Sequence, residues 1–158
     1  MVTPINKAII ECVGEYSVVS PFLLVYGTLR MGKSNYNHFL KGYVDYQSTY
    51  RLQKFNLEGI CANYTGKVSD TIVVDLFKFK IDTIGSVIKM HEIHCQLDQL
   101  ETGYERWLIK IINTDNIEIQ AKIYPYTQGV DLKNKIETGD YLSQKKYLDY
   151  PLLTLKSD

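Results

Sequence analysis

Three segments in the first half of the chain show the apolar patterns of β-strands. Residues 22–26 (FLLVY) form a short, nearly continuous apolar run, which is typical of a strand buried on both faces. Residues 43–57 are rich in Tyr, Val and Thr, and residues 71–79 (TIVVDLFKF) form another apolar run, so both favour strand. Between the first two of these strand segments, residues 27–33 predict a loop. The residues that follow this loop predict a short helix that ends near Lys41. Residues 58–69 contain Gly59, Asn63 and Gly66 and predict a loop.

The main helical pattern lies at residues 82–101. Ile84, Val87, Ile88 and His91 follow the spacing of one helix face. A second apolar set is offset from the first, which predicts two short helices rather than one straight helix; its members are Ile93, Leu97 and Leu100. At the end of the chain, residues 141–155 predict a short helix that stops before Pro151.

A hairpin is predicted between these two helical regions. Residues 106–113 (RWLIKIIN) and 117–126 (IEIQAKIYPY) are strand-like, and the polar turn Thr114-Asp115-Asn116 joins them. Strands joined by hairpins, with few and short helices, predict an α+β fold built on a mixed, mostly antiparallel, barrel-like sheet. We expect one domain at residues 21–158, preceded by an N-terminal extension at residues 1–20.

The amino-acid composition indicates which kinds of binding partner and which cellular compartment are expected. Eighteen basic and eighteen acidic side chains cancel, and no Lys/Arg cluster forms a stripe, so a nucleic-acid partner is not expected. No apolar run reaches the length of a membrane span, and the N-terminus does not resemble a signal peptide. Three scattered cysteines argue against a disulfide framework. The expected location is therefore the cytoplasm.

Residues 27–34 match the phosphate-binding P-loop pattern G-x-x-x-x-G-K-S and follow an apolar strand. A P-loop feeds into a substantial helix within a parallel sheet made of strand–helix–strand crossovers. Here only about two helical turns separate Ser34 from the glycine at position 42. A P-loop nucleotide-binding protein is therefore the less favoured interpretation of this segment.

The same segment also reads V-Y-G-T-L-R-x-G followed by N-x-x-x-N-H-x-x-L, which resembles the opening of the gamma-glutamylcyclotransferase family. Residues 95–108 resemble the family's L-D-x-x-E-G…Y-x-R segment, and residues 121–126 its A-x-x-Y-x-Y strand. Residues 137–141 resemble its late G-D-aromatic turn. These pieces occur in family order over residues 22–141, and the YGTLR form is most similar to the branch that acts on gamma-glutamylamines. Thr102 departs from the pattern, since the family usually has Gly there.

This resemblance implies an enzyme that cyclises a gamma-glutamyl group to 5-oxoproline and releases an amine. The nucleophile is the substrate's own α-amine, so no cofactor and no metal are expected. The resemblance assigns Glu101 as the catalytic base, which moves the proton from the attacking amine to the leaving nitrogen. It assigns substrate binding to Tyr124, through its hydroxyl, and to the backbone N–H groups of a loop made of Tyr26, Gly27, Thr28, Leu29 and Arg30.

Other interpretations of these residues remain open. A glutamate near a helix end is usually only solvated, and Arg30 fits a loop anchor paired with an acid better than a catalytic group. A non-catalytic pocket protein could keep the YGTLR loop and bind a small acidic ligand. His91, His94 and Cys95 do not match a metal-binding spacing, so we expect a helix-face histidine and a buried cysteine. The partner is a small-molecule substrate; the leaving amine and the oligomeric state are not determined by the sequence.

Overall fold

The computed structural model describes residues 9–11, 19–58, 61–101, 104–126, 135–136 and 150–156. Its strands are β1 (Ile9–Glu11), β2 (Phe22–Val25), β3 (Val44–Gln53), β4 (Phe55–Glu58), β5 (Cys61–Tyr64), β6 (Thr71–Phe79), β7 (Trp107–Ile112), β8 (Glu118–Ile123), β9 (Lys135–Ile136) and β10 (Leu152–Leu155). Its helices are a π-helical turn at Tyr36–Leu40 and α1 at Ile84–Leu100.

Six of these strands close into a barrel. The order around the ring is β7-β10-β3-β6-β2-β8, and β8 pairs with β7 to complete it. Two of the six pairings are parallel, β10 with β3 and β2 with β8, and the other four are antiparallel. The predicted α+β fold with a mixed, mostly antiparallel, barrel-like sheet is therefore confirmed.

Strand β2 is apolar along its whole length because both of its faces are covered. Leu24 belongs to the core inside the barrel, together with residues from the other five barrel strands. Leu23 and Val25 point the other way and join a second core with Ile93 and Leu97 of α1. A strand buried on both faces has no face in contact with solvent and so needs no polar side chains, which explains the continuous apolar run of β2.

Helix α1 is a single helix of 17 residues, so the prediction of two short helices was wrong. Its buried positions are Met90, Ile93, His94 and Leu97, a regular stripe at helical spacing. The N-terminal part of the helix is exposed instead, with Ile84 at 82% exposure. Apolar residues at the N-terminal end of α1 face solvent. Including them in the predicted buried face produced the apparent offset between the two apolar sets.

One further sequence prediction needs correction, and one sequence prediction falls outside the described residues. Residues 58–69 contain strand β5, because Cys61–Tyr64 pairs with β4 in a second sheet of three strands ordered β5-β4-β9. The helix predicted before Pro151 falls on residues 141–149, which lie outside the described residues. After Pro151 the chain forms strand β10, which closes the barrel between β3 and β7. These pairings depend on distant strands, so local composition did not reveal them.

The remaining predictions have mixed outcomes. Residues 71–79 and the hairpin of β7 and β8 are confirmed, whereas the strand predicted at residues 43–57 is interrupted at Lys54, whose φ is +72°. In the N-terminal segment, Ile9–Glu11 pairs with β7. The late turn at residues 137–141 and Thr102 lie outside the described residues. No helix in the described part of the chain is long and apolar enough to span a membrane.

Candidate active site

The loop that follows β2 is held in a fixed shape by its own backbone. The Arg30 N–H donates to the Gly27 carbonyl at 2.9 Å, and the Thr28 carbonyl accepts from the N–H groups of Asn35 and Tyr36, both at 3.2 Å. The Asn35 side-chain amide also donates to the Thr28 hydroxyl at 2.6 Å. No acceptor within the described residues is paired with the N–H groups at positions 27, 28 and 29. A fixed loop with successive unused N–H groups can bind an anion.

Arg30 anchors this loop from behind. Its guanidinium forms an ion pair with Asp75 of β6, with Nε 3.2 Å from Oδ2, and both side chains are buried. Asp75 also accepts from the Thr49 hydroxyl at 2.8 Å and from the Met31 N–H at 3.1 Å. Because its side chain is held by Asp75 and its N–H by Gly27, Arg30 contributes to the shape of the loop.

Glu101 lies at the C-terminal end of α1, where its N–H donates to the Leu97 carbonyl at 2.8 Å. Leu97 is fully buried against the barrel, so the end of the helix has a fixed position. The side chain of Glu101 is partly buried, and this burial raises the pKa of the carboxyl above its ordinary value of 4.5. A carboxylate with a raised pKa is a stronger base, which suits proton transfer near neutral pH.

One pocket of about 230 Å³ brings the loop and Glu101 together. Its lining consists of Leu24, Val25, Tyr26, Gly27, Thr28, Leu29, Asn35, Leu100, Glu101, Tyr104 and Tyr124. All the residues that the sequence assigned to the site therefore meet here except Arg30. Glu101 is the one carboxylic acid among the described residues of this lining, and the walls are otherwise neutral.

Tyr124, which follows β8, carries two hydrogen bonds that fix its position. Its backbone carbonyl accepts from the Tyr26 hydroxyl at 2.6 Å, and its own hydroxyl donates to Asp98 Oδ1 at 2.7 Å. Burial is the main cause that raises the pKa values of both tyrosines well above their usual range, and Asp98 adds to it for Tyr124. Both phenols therefore remain neutral throughout the physiological pH range.

A buried polar network that the sequence did not predict surrounds the hydroxyl of Tyr124. Asp98 accepts from Lys122 at 2.8 Å and from Arg106 at 3.2 Å, and the Lys122 ammonium also lies 3.3 Å from His94 Nδ1. Lys122 and His94 are both fully buried. A signal was present: His94, Asp98 and Glu101 are spaced four and three apart on a helix, and Lys122 and Tyr124 are two apart at the end of a strand.

His94 is neutral in this network. Burial, followed by the nearby Lys122 charge, lowers its pKa to about 4. Its Nε2 lies 2.8 Å from the Ser20 carbonyl and 3.4 Å from the Ser20 N–H, and one nitrogen cannot donate to the first while accepting from the second. The shorter contact defines the tautomer with a proton on Nε2, which leaves Nδ1 free to accept from Lys122.

The other residues considered as metal ligands are on the surface. His91 and Cys95 are both exposed, so the expectation of a buried cysteine was wrong. No group of three or more His, Cys, Asp or Glu side chains within the described residues is arranged to hold a metal ion. The sulfur of Cys61 lies 3.3 Å from the hydroxyl of Tyr104, and Tyr104 is part of the pocket lining.

The P-loop interpretation does not fit this architecture. After Ser34 the chain forms only the π-helical turn Tyr36–Leu40, and it then enters β3, which pairs antiparallel with β6. A P-loop requires a long helix whose N-terminus faces the phosphates, between parallel strands of an open sheet. The glycines at positions 27 and 32 serve the turns of the pocket loop instead.

The barrel carries a pocket between the loop after β2 and the end of α1, and the sequence of the chain shows the family to which it belongs. Residues 23–143 match the family model described as "Gamma-glutamyl cyclotransferase, AIG2-like", and the chain belongs to this family. No curated protein gives a significant match.

Two solved structures have a similar fold. An uncharacterized protein from Pyrococcus horikoshii is 21% identical with a TM-score of 0.54, over 77% of this chain and 90% of that one. YkqA from Bacillus subtilis is 21% identical with a TM-score of 0.55, over 77% of this chain but only 39% of its own length. At this level of identity the two structures support the fold alone.

Proposed function

We propose that this protein cyclises the gamma-glutamyl group of a small molecule to 5-oxoproline and releases an amine. The observation that carries the proposal is the position of Glu101, a carboxylate with a raised pKa in a pocket that residues 27–29 also line. Membership of the gamma-glutamyl cyclotransferase family supports the general class of reaction.

The proposed reaction needs one group that both accepts and returns a proton. The substrate's α-amine attacks its γ-carbonyl, forming the ring C–N bond, and Glu101 takes a proton from this nitrogen. The C–N bond to the leaving group then breaks, and Glu101 returns the proton to the departing nitrogen. Protons and electrons balance without a cofactor, and the attacking amine is already part of the substrate.

The loop after β2 supplies electrostatic support. Backbone N–H groups at positions 27–29 would donate to the substrate's α-carboxylate or to the oxyanion that develops on the γ-carbonyl. The hydrogen bonds of Thr28 with Asn35 and Tyr36 keep this loop in place before the substrate arrives. Donors that need no rearrangement stabilise a transition state at low cost.

The test is amine release from a panel of gamma-glutamyl substrates by wild-type protein and by Glu101→Gln. Gln has nearly the same shape but cannot accept a proton, so we expect turnover to fall by about 10²–10⁴-fold. A melting curve of each variant provides the control for folding. Normal turnover in Glu101→Gln would show that another group is the base.

A second measurement separates catalysis from binding alone. In Glu101→Gln the loop N–H groups are unchanged, so 5-oxoproline should still bind and raise the melting temperature. A wild-type protein that binds 5-oxoproline but turns over none of the panel would instead be a non-catalytic pocket protein.

A further inference from the structure

The direction of one hydrogen bond determines what Tyr124 can offer to a ligand. An ionised carboxylate has acceptors only, and Asp98 contacts two cationic side chains, Lys122 at 2.8 Å and Arg106 at 3.2 Å. In the 2.7 Å contact between Tyr124 and Asp98 the phenol must therefore be the donor. Since a phenol has a single proton, the oxygen of Tyr124 is left with lone pairs and no hydrogen to donate.

The buried residues around Asp98 keep Tyr124 as the donor in its hydrogen bond with Asp98. Lys122 is fully buried, donates to Asp98 Oδ1, and lies 3.3 Å from the neutral His94, which is held in turn by the Ser20 carbonyl. The Lys122 ammonium also lies 4.9 Å from the centre of the Tyr124 ring. A buried network of this kind has few alternative arrangements, because each change would leave a polar group without a partner.

We propose that Tyr124 accepts a hydrogen bond from the substrate's α-amine nitrogen, and that Asp98 and Lys122 are positioning residues that hold Tyr124 as an acceptor. This inference rests on the proposed function. It adds that the pocket recognises a nitrogen that carries hydrogen at the position of the attacking amine. After cyclisation that atom is the ring N–H of 5-oxoproline.

Two product-like rings test this proposal without requiring turnover. 5-Oxoproline has a ring N–H, and 5-oxotetrahydrofuran-2-carboxylate has a ring oxygen in the same place and is otherwise similar in shape. If Tyr124 is an acceptor, the lactone loses a hydrogen bond and places two acceptors face to face. We expect the lactone to bind wild-type protein at least about tenfold more weakly, measured by calorimetry.

Glu101 also faces this nitrogen in the proposed reaction, so Tyr124→Phe should remove only the part of the preference that comes from Tyr124 and lower the ratio of the two dissociation constants by at least about threefold. Tyr126→Phe is the matched control, because its ring is 5.5 Å from that of Tyr104 and it is not part of the pocket lining. The control should keep the wild-type ratio. An unchanged ratio in Tyr124→Phe would overturn the proposal.

The positioning role has its own readout. Asp98→Ala leaves Lys122 buried without its carboxylate, so Asp98→Ala/Lys122→Met removes both charges together. We expect the ratio of the two dissociation constants to fall in this double variant as far as it does in Tyr124→Phe, and to change no further when Tyr124→Phe is added. If Asp98 and Lys122 had a purely structural role, the double variant would bind both ring compounds more weakly by the same factor. An unchanged ratio of the two dissociation constants would therefore overturn the positioning role of Asp98 and Lys122.

These outcomes distinguish this inference from the proposed function. A wild-type protein that turns over gamma-glutamyl substrates but binds both rings equally would overturn the role of Tyr124 and leave the proposed reaction standing. A protein that turns over no substrate and binds neither ring would contradict both proposals.

Discussion

Arg30 and Asp75 form a buried ion pair that ties the loop after β2 to β6, with Nε and Oδ2 3.2 Å apart. The pair lies behind the pocket, so its effect on function is through the shape of the loop. Removing one partner leaves the other charge in the interior, where it cannot recover its hydration.

We therefore expect Arg30→Met or Asp75→Leu to lower the free energy of unfolding by about 3–5 kcal/mol, measured by urea denaturation. The matched control is Lys89→Ala, which removes an exposed pair with Glu92 at 3.4 Å. That change should cost less than about 1 kcal/mol. Equal costs at the two sites would show that the buried pair has no special role.

The raised pKa of Glu101 predicts the acid limb of the pH–rate profile. The base form is lost as the pH falls through the pKa in the folded protein, so kcat/KM should decline at a pH above the ordinary carboxylate value of 4.5. The profile of wild-type protein on its best substrate checks this. A limb at or below the ordinary value would mean that burial does not tune Glu101.

The same shift predicts an effect on folding stability. A raised carboxyl pKa means that the folded state holds the proton more tightly than the unfolded state, so ionised Glu101 opposes folding above the unfolded pKa. Glu101→Gln should therefore melt no lower than wild type at pH 7, and its advantage should disappear when the pH falls below the ordinary carboxylate range. A lower melting temperature at pH 7 would contradict this assignment.

Helix α1 begins with a capping box, in which the Thr83 hydroxyl accepts from the Ser86 N–H at 3.0 Å and the Ser86 hydroxyl accepts from the Thr83 N–H at 3.0 Å. Thr83→Ala should lower the free energy of unfolding by about 1 kcal/mol. Since Glu101 is at the other end of the helix, KM should not change. Ile84→Ala, at a highly exposed position, is the control and should have little effect.

Nucleotide binding gives a direct test of the P-loop alternative. ATP or GTP with Mg²⁺ should leave the melting temperature unchanged, whereas 5-oxoproline should raise it, because only a ligand of the native state stabilises it by mass action. Lys33→Ala is the control variant. A nucleotide-dependent shift that Lys33→Ala abolishes would revive the P-loop interpretation.

Local patterns in the sequence determined several elements correctly. The apolar run of β2, the run of β6 and the hairpin of β7 and β8 are all visible in composition and turn chemistry, because each depends on neighbouring residues. The ordered motifs also determined the family, which the match over residues 23–143 confirms.

Tertiary structure decided what depends on distant residues. Strand β10 becomes a strand because β3 and β7 offer it open edges, and α1 stays a single helix because its second half packs on the outer face of β2 and β6. Composition near residue 152 carries no information about those edges, since strand propensity depends on context.

The same limit applies to the pocket. The sequence placed Gly27 and Glu101 in motifs 74 positions apart, but only the packing of α1 on the barrel brings both into one lining. The direction of the Tyr124 hydrogen bond depends on Asp98 being ionised, and that depends on Lys122 and Arg106 arriving from a different strand and loop. Burial and partner geometry exist only in the folded chain, so the protonation and hydrogen-bonding roles in the pocket are properties of the tertiary structure.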